Sequence, residues 1–93
     1  MNEETKAIRT VVIRNQQGLH ARPADMFVKR AAKFQSTIEV VKDNERVDGK
    51  SILAILMLAA VAGTELRLEA TGIDATAALD ALEELVNQGF GEE

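Results

Sequence analysis

Cysteine, tryptophan and tyrosine are absent from this chain, and histidine and proline each occur once, as His20 and Pro23. Without cysteine there is no disulfide framework. One histidine and no thiolate leave only carboxylates as metal ligands, a poor set for a transition metal, so no metal and no other cofactor is expected. Three phenylalanines are the whole aromatic complement and the formal charge is −4. That gives neither a base-stacking platform nor a basic surface, which argues against nucleic acid as a partner. The longest apolar run lies between Ser51 and Gly63, short of the ~18–20 residues that cross a bilayer, so no membrane partner is expected. A Gly-x-Ser-x-Gly elbow is missing, and Ser36 and Ser51 stand in unrelated segments, which leaves serine-based hydrolysis unsupported. The start, Met1-Asn2-Glu3-Glu4-Thr5-Lys6, has neither a basic n-region nor an apolar h-region, and a cytoplasmic address is the expectation.

What is present suits one small domain over residues 1–93, with no internal repeat, linker or low-complexity segment. Ala7–Arg14 reads as a β-branched first strand, although the run Val11-Val12-Ile13 hides its inward face. From Ala21 to about Phe34, Ala24, Phe27, Val28 and Ala31 form an apolar helical stripe, and Asp25, Lys29 and Lys33 follow at i+4 spacing. Thr37–Lys42 and Arg46–Asp48 read as a hairpin around Asp43-Asn44-Glu45, ended by Gly49. Thr64–Ala70 alternates, with Leu66, Leu68 and Ala70 facing a core and Glu65, Arg67 and Glu69 facing water. A last helix over Asp74–Gln88 carries Ala75, Ala78, Leu79, Leu82, Leu85 and Val86 on one stripe, with Asp74 placed to cap it. Gly89 can end that helix in a left-handed conformation and let Phe90 fold back on Leu85. Half-buried strands and one-striped helices are satisfied by an α+β arrangement with the helices on one face of an antiparallel sheet.

A solitary histidine is ordinarily a solvated or capping residue, but the address of His20 is unusual. It sits in Gly18-Leu19-His20-Ala21-Arg22-Pro23-Ala24, where a strand-like segment gives way to a helix. First-turn amides, that of Ala21 among them, have no intrahelical partner and lie at the positive end of the helix dipole, so a phosphoryl group on His20 meets donors already in place. Arg22 adds a permanently charged, planar guanidinium. Pro23 is tolerated in a first turn because its missing N–H is not required, and Gly18 permits a sharp reversal before it. Imidazole is also the best nucleophile in the chain, since a useful fraction is neutral near pH 7.

These residues resemble the HPr family of phosphocarriers of the phosphoenolpyruvate-dependent phosphotransferase system. Gly18–Ala24 is similar to the family's phosphorylation-site signature, and Phe27-Val28 and Ala31 fit the helix after it. Val47-Asp48-Gly49-Lys50-Ser51-Ile52 is similar to its second signature, with Gly63 and Ala70-x-Gly72-x-Asp74 in register. The resemblance implies an open-faced β-sandwich of order β-α-β-β-α-β-α, with a four-stranded antiparallel sheet in order 1-4-2-3 and three helices on one face. It implies that His20 takes a phosphoryl group on Nδ1 from phosphorylated Enzyme I and passes it to a histidine of an A-type (EIIA) component. Arg22 would steady the phosphate, with Ala21 and Gln17 as further phosphate contacts. Such a protein is a carrier rather than a turnover enzyme, and a monomer is expected because one surface must serve successive partners.

The run Ile52-Leu53-Ala54-Ile55-Leu56-Met57-Leu58-Ala59-Ala60-Val61-Ala62 contains no polar side chain. Either the helix is sunken in the core or part of its circumference is covered by partners. The resemblance favours docking through Ile52, Leu53 and Leu56, with Arg22, Lys29 and Lys50 steering acidic partners. Ser51 precedes this run and is a natural N-cap. The resemblance adds a regulatory reading, in which an HPr kinase/phosphorylase modifies Ser51 within Gly49-Lys50-Ser51-Ile52. The Met57-Leu58 run and the Asn87-Gln88-Gly89-Phe90 tail resemble instead a nitrogen-related branch of HPr-like regulators, which act through phosphorylation-dependent protein binding rather than sugar transport.

Overall fold

The computed structural model describes residues 5–92. Most of the Met1–Lys6 start, on which the cytoplasmic expectation rests, lies outside the described residues. Strand β1 (Thr5–Val12) is followed by helix α1 (Ala21–Ala31), strands β2 (Thr37–Lys42) and β3 (Glu45–Asp48), helix α2 (Ile52–Met57), strand β4 (Glu65–Gly72) and helix α3 (Ala75–Asn87), with a 3-10 turn at Gly89–Gly91. The sheet is antiparallel in the order β1-β4-β2-β3, and the helices cover one of its faces, as the resemblance implies. Among the described residues no helix is long and apolar enough to cross a membrane.

The alternation in the strands decides what the helices meet. Val11, Ile38, Val40, Leu66, Leu68 and Ala70 are buried on the covered face and pack with Ala24, Phe27 and Ala31 of α1, Ile55 of α2, and Ala75, Ala78, Leu79, Leu82, Leu85 and Val86 of α3. β1 begins and ends two residues earlier than expected. Thr5 pairs with Gly72 and Val12 with Glu65, after which Ile13 continues the pairing only through its backbone bonds to Thr64 and Gly63. Within the ambiguous run, Val11 and Ile13 point inward while Val12 remains exposed.

Helix α1 stops at Ala31 rather than near Phe34. The amides of Lys33 and Phe34 bond to the carbonyls of Arg30 and Ala31, tightening the last turn, and those of Gln35 and Ser36 are captured by the carboxylate of Asp74 at 2.8 and 2.9 Å. Lys33 therefore leaves the expected row, of which the Asp25–Lys29 pair forms at 3.0 Å. Asp74 stands at the N-cap position of α3, but its side chain makes no cap bond to that helix. It instead joins the α1–β2 turn to the start of α3, and the Ser36 hydroxyl followed by the Gln35 amide hold its carboxyl below the ordinary range.

The open face of the sheet also departs from simple alternation. Glu65 and Arg67 are exposed, as expected, whereas Glu69 is buried. Arg46 and Arg67 donate to the Glu69 carboxylate at 2.8 and 2.7 Å, with Lys6 at 3.9 Å, and Arg46 also reaches Glu39. Val41, in register between Arg67 and Arg46, is buried there too; the aliphatic stems of those arginines are the cover available to it. Bonds from Arg46 and then Arg67 outweigh desolvation and lower the Glu69 carboxyl from 4.5 to about 2.

Because the folded state holds this proton less tightly than the unfolded chain, the Glu69 contribution is complete above the ordinary carboxylate range. It is lost as pH falls from about 5 toward 2. The shift corresponds to at most about 3–4 kcal/mol, which screening of the half-exposed arginines reduces to about 1–2 kcal/mol. A Glu69→Gln variant should be less stable by that amount at neutral pH and show a shallower acid-side decline in denaturant titrations; parallel wild-type and variant profiles would refute the assignment.

Candidate functional site

Gly18 determines where the His20 loop can lie. Its φ is +72°, and a Cβ built on it would lie 2.4 Å from the Ala60 carbonyl oxygen and 2.9 Å from the Val61 Cα. Glycine is required on both counts. The approach brings the Leu19 amide to within 2.9 Å of the Ala60 oxygen, joining the loop before α1 to the segment after α2. Leu19 is buried, and the chain emerges at His20.

His20 is the N-cap of α1, with extended backbone (φ −77°, ψ −170°) and no side-chain cap bond. Its carbonyl accepts the first helical bond, from Ala24. Pro23 occupies the third helical position and is buried, where its missing N–H costs nothing. The amides of Ala21 and Arg22 are thus first-turn donors that the N-cap side chain leaves uncapped. The imidazole is 38% exposed, accessible yet not loose.

The ring is held by a residue that sequence reasoning missed. His20 Nε2 lies 3.1 and 3.2 Å from the two carboxylate oxygens of Glu92. Glu92 also accepts from Arg22 Nη1 at 3.1 Å and Asn15 Nδ2 at 3.0 Å. Asn15 is buried and donates to the Gly18 carbonyl at 2.7 Å, so one amide steadies both the turn and the carboxylate. Desolvation raises the Glu92 carboxyl, but the bonds from His20, Asn15 and Arg22 prevail and leave it below its ordinary value. It is therefore ionised near neutrality and can only accept.

Glu92 is delivered by the end of α3. Gly89 adopts φ +63°, the left-handed stop expected of it, and Phe90 is fully buried in the same core as Leu85. The following 3-10 turn, with the Glu92 amide bonded to the Gly89 carbonyl at 2.8 Å, carries the carboxylate back to the ring. The Gly89-Phe90 pattern signalled the fold-back, but nothing in it signalled where the next side chain would go.

The remaining expected residues are more dispersed. Arg22 is 62% exposed and can meet a ligand outside the protein. Gln17 is exposed in the turn and makes no side-chain hydrogen bond among the described residues. Ser51 is the N-cap of α2 and accepts from the Ala54 amide at 3.2 Å. Lys50 donates to the Phe34 carbonyl at 2.7 Å, so its charge is occupied at the end of the α1 turn rather than held out for partners.

Neither sunken nor uniformly exposed describes the apolar run. α2 spans only Ile52–Met57, because Leu58 and Ala59 form i to i+3 bonds and Ala59 takes φ +51°. Ile55, Leu58 and Ala60 are buried, Leu56 is half-buried, and Ile52, Leu53, Met57 and Val61 are exposed. Val61 adjoins Gly18, so the exposed apolar surface reaches the His20 loop. A shallow groove lined by Thr10, Val41, Lys42, Asp43, Glu65 and Arg67 belongs to the sheet and contains none of these residues.

An accessible imidazole with one nitrogen anchored, uncapped amides and an exposed arginine form a site suited to carrying an anion on the ring. Comparisons with known proteins identify the family. Residues 7–88 match the PTS-HPr family, described as the PTS HPr component phosphorylation site. The phosphocarrier protein HPr of Neisseria meningitidis serogroup A is 44% identical over 84 residues, covering 90% of this chain and 94% of that protein. A multiphosphoryl transfer protein of Haemophilus influenzae is 38% identical, and the match covers 98% of this chain but 19% of that longer protein. The crystal structure of an HPr from Thermoanaerobacter tengcongensis superposes with a TM-score of 0.90 at 46% identity, covering 94% of this chain and 98% of that one. The chain belongs to the HPr family, the phosphocarriers of the phosphotransferase system.

Proposed function

We propose that the protein, a single domain over residues 1–93, receives a phosphoryl group on His20 Nδ1 from phosphorylated Enzyme I and passes it to a histidine of an A-type component. The observation that carries this reading is the state of the ring. An ionised carboxylate at Nε2 requires that nitrogen to hold the proton, which leaves the lone pair of the neutral imidazole on Nδ1. Among the described residues no hydrogen bond occupies Nδ1. The amides of Ala21 and Arg22 and the Arg22 guanidinium are the donors for the phosphoryl oxygens, and exposed Gln17 is an adaptable further contact.

Docking uses the apolar surface of α2 and the segment after it. Ile52 and Leu53 are exposed on it, Leu56 is half-buried and contributes mainly to packing, and Met57 and Val61 extend it. A small apolar patch beside a reactive residue suits brief encounters, in which a cytoplasmic monomer meets donor and acceptor with the same face. Ser51 lies at the edge of that face. Phosphorylating it by a kinase of the HPr kinase/phosphorylase type would add about two negative charges beside Ile52 and Leu53 and oppose docking of acidic partners. The nitrogen-related reading shares His20 but ends in an altered target protein rather than in onward transfer.

Phosphoenolpyruvate with Enzyme I should add one acid-labile phosphoryl group to the wild type and none to His20→Ala, as read by intact mass; no adduct with several active Enzyme I preparations would reject the carrier reading. Leu53→Glu changes a residue that is 66% exposed and should alter stability by less than about 0.5 kcal/mol while slowing transfer roughly tenfold; wild-type kinetics would reject the docking surface. Ser51→Ala should cost about 1 kcal/mol through loss of the cap and abolish any ATP-dependent mass gain in cell extract, and a gain that persists in the variant would exclude Ser51 as its site.

A further inference from the structure

The Glu92 carboxylate makes four contacts with three side chains, two to the His20 ring itself and one each to Asn15 and Arg22, an arrangement that a solvent-facing tail would not maintain by chance. Asn15 is buried and Phe90, two residues before Glu92, is anchored in the core, so the carboxylate is fixed from two directions. A carboxylate held against one nitrogen of an imidazole fixes its tautomer and offsets positive charge that develops on the ring.

We propose that Glu92 is a positioning residue for phosphoryl transfer: by holding the Nε2 proton it presents the Nδ1 lone pair to the donor and stabilises the ring once Nδ1 is substituted. The inference rests on the carrier reading of His20. In the forward step the Nδ1 lone pair forms the N–P bond while the bond from phosphorus to the donor breaks, and its electron pair leaves with the donor. The ring then bears phosphorus on Nδ1 and hydrogen on Nε2, and therefore a positive charge, facing a carboxylate 3.1 Å away. Onward transfer reverses these changes. The N–P electron pair returns to Nδ1, and the leaving group is neutral imidazole with its Nε2 proton still in place. No proton moves in either direction. Without the carboxylate, the phosphorylated ring more readily surrenders that proton to water, and its departure as an imidazolate is far harder.

Glu92→Ala and Glu92→Gln separate the two contributions, since glutamine keeps an oxygen for the Nε2 proton but loses the charge. Nitrogen-15 NMR of the His20 ring, on unphosphorylated protein at a pH where the ring is neutral, reads the tautomer without any partner. The wild type and Glu92→Gln should hold the proton on Nε2, and Glu92→Ala should drift toward the mixture of free imidazole. Transfer from Enzyme I and onward to an A-type component should fall roughly tenfold in Glu92→Ala, in kcat rather than KM, with Glu92→Gln between it and the wild type. A wild-type ring protonated on Nδ1, or a Glu92→Ala variant that keeps both the wild-type spectrum and the wild-type rates, would overturn the assignment. If even the wild type takes up no phosphoryl group, the carrier reading fails, while the ring spectrum still judges the carboxylate's hold on Nε2.

Discussion

The close approach of Gly18 to the backbone of Ala60 and Val61 is the constraint on which the functional half of the molecule depends. It allows the loop before α1 to lie against the segment after α2, locked by the Leu19–Ala60 bond. Two consequences follow from one missing side chain. The histidine emerges at the start of a helix, where backbone donors are unspent, and it emerges beside the exposed apolar residues rather than across the molecule from them. A Cβ at this position would force the two segments apart and separate His20 from the exposed apolar residues of α2 and the segment after it.

Charge is used differently on the two sides of the sheet. On the open face, Glu69 is enclosed by Arg46 and Arg67, and the cluster acts as part of the covering that a second layer would otherwise provide. At the helix side, Glu92 meets His20, Arg22 and Asn15 without being sealed away, because both the imidazole and Arg22 retain substantial exposure. The first arrangement covers part of the open face, and the second orients the His20 ring while leaving it accessible. Asp74 shows a third use, in which a residue at a helix start serves a neighbouring turn instead.

Those features mark the boundary of what the sequence discloses. Periodicity revealed the α1 and α3 stripes and the inward residues of β4, since burial against one layer imposes a repeat that survives in the linear order. The sheet order came from family resemblance, because strand alternation carries no information about neighbours. His20 and Arg22 stood out through their spacing from Gly18 and Pro23. Glu92 and Asn15 did not, because their meeting depends on a long-range return of the chain past Phe90. Alternation alone reads Glu69 as exposed for a related reason: its partner Arg46 lies on β3, the strand before β4 in the chain but separated from it in the sheet by β2, and strand alternation does not show that arrangement. The brevity of α2 was hidden because an apolar run has no punctuation, and the left-handed turn at Ala59 has no glycine to announce it.

Under the proposed function the lone pair that takes the phosphoryl group belongs to Nδ1, because a carboxylate keeps the proton on Nε2. The most direct measurement is NMR of the nitrogen-15-labelled protein after phosphorylation by Enzyme I and phosphoenolpyruvate, in which coupling to phosphorus-31 identifies the substituted ring nitrogen. Coupling to Nδ1, with hydrogen still on Nε2, is the predicted result. Phosphorus on Nε2, the nitrogen that Glu92 engages, would contradict the account at its foundation.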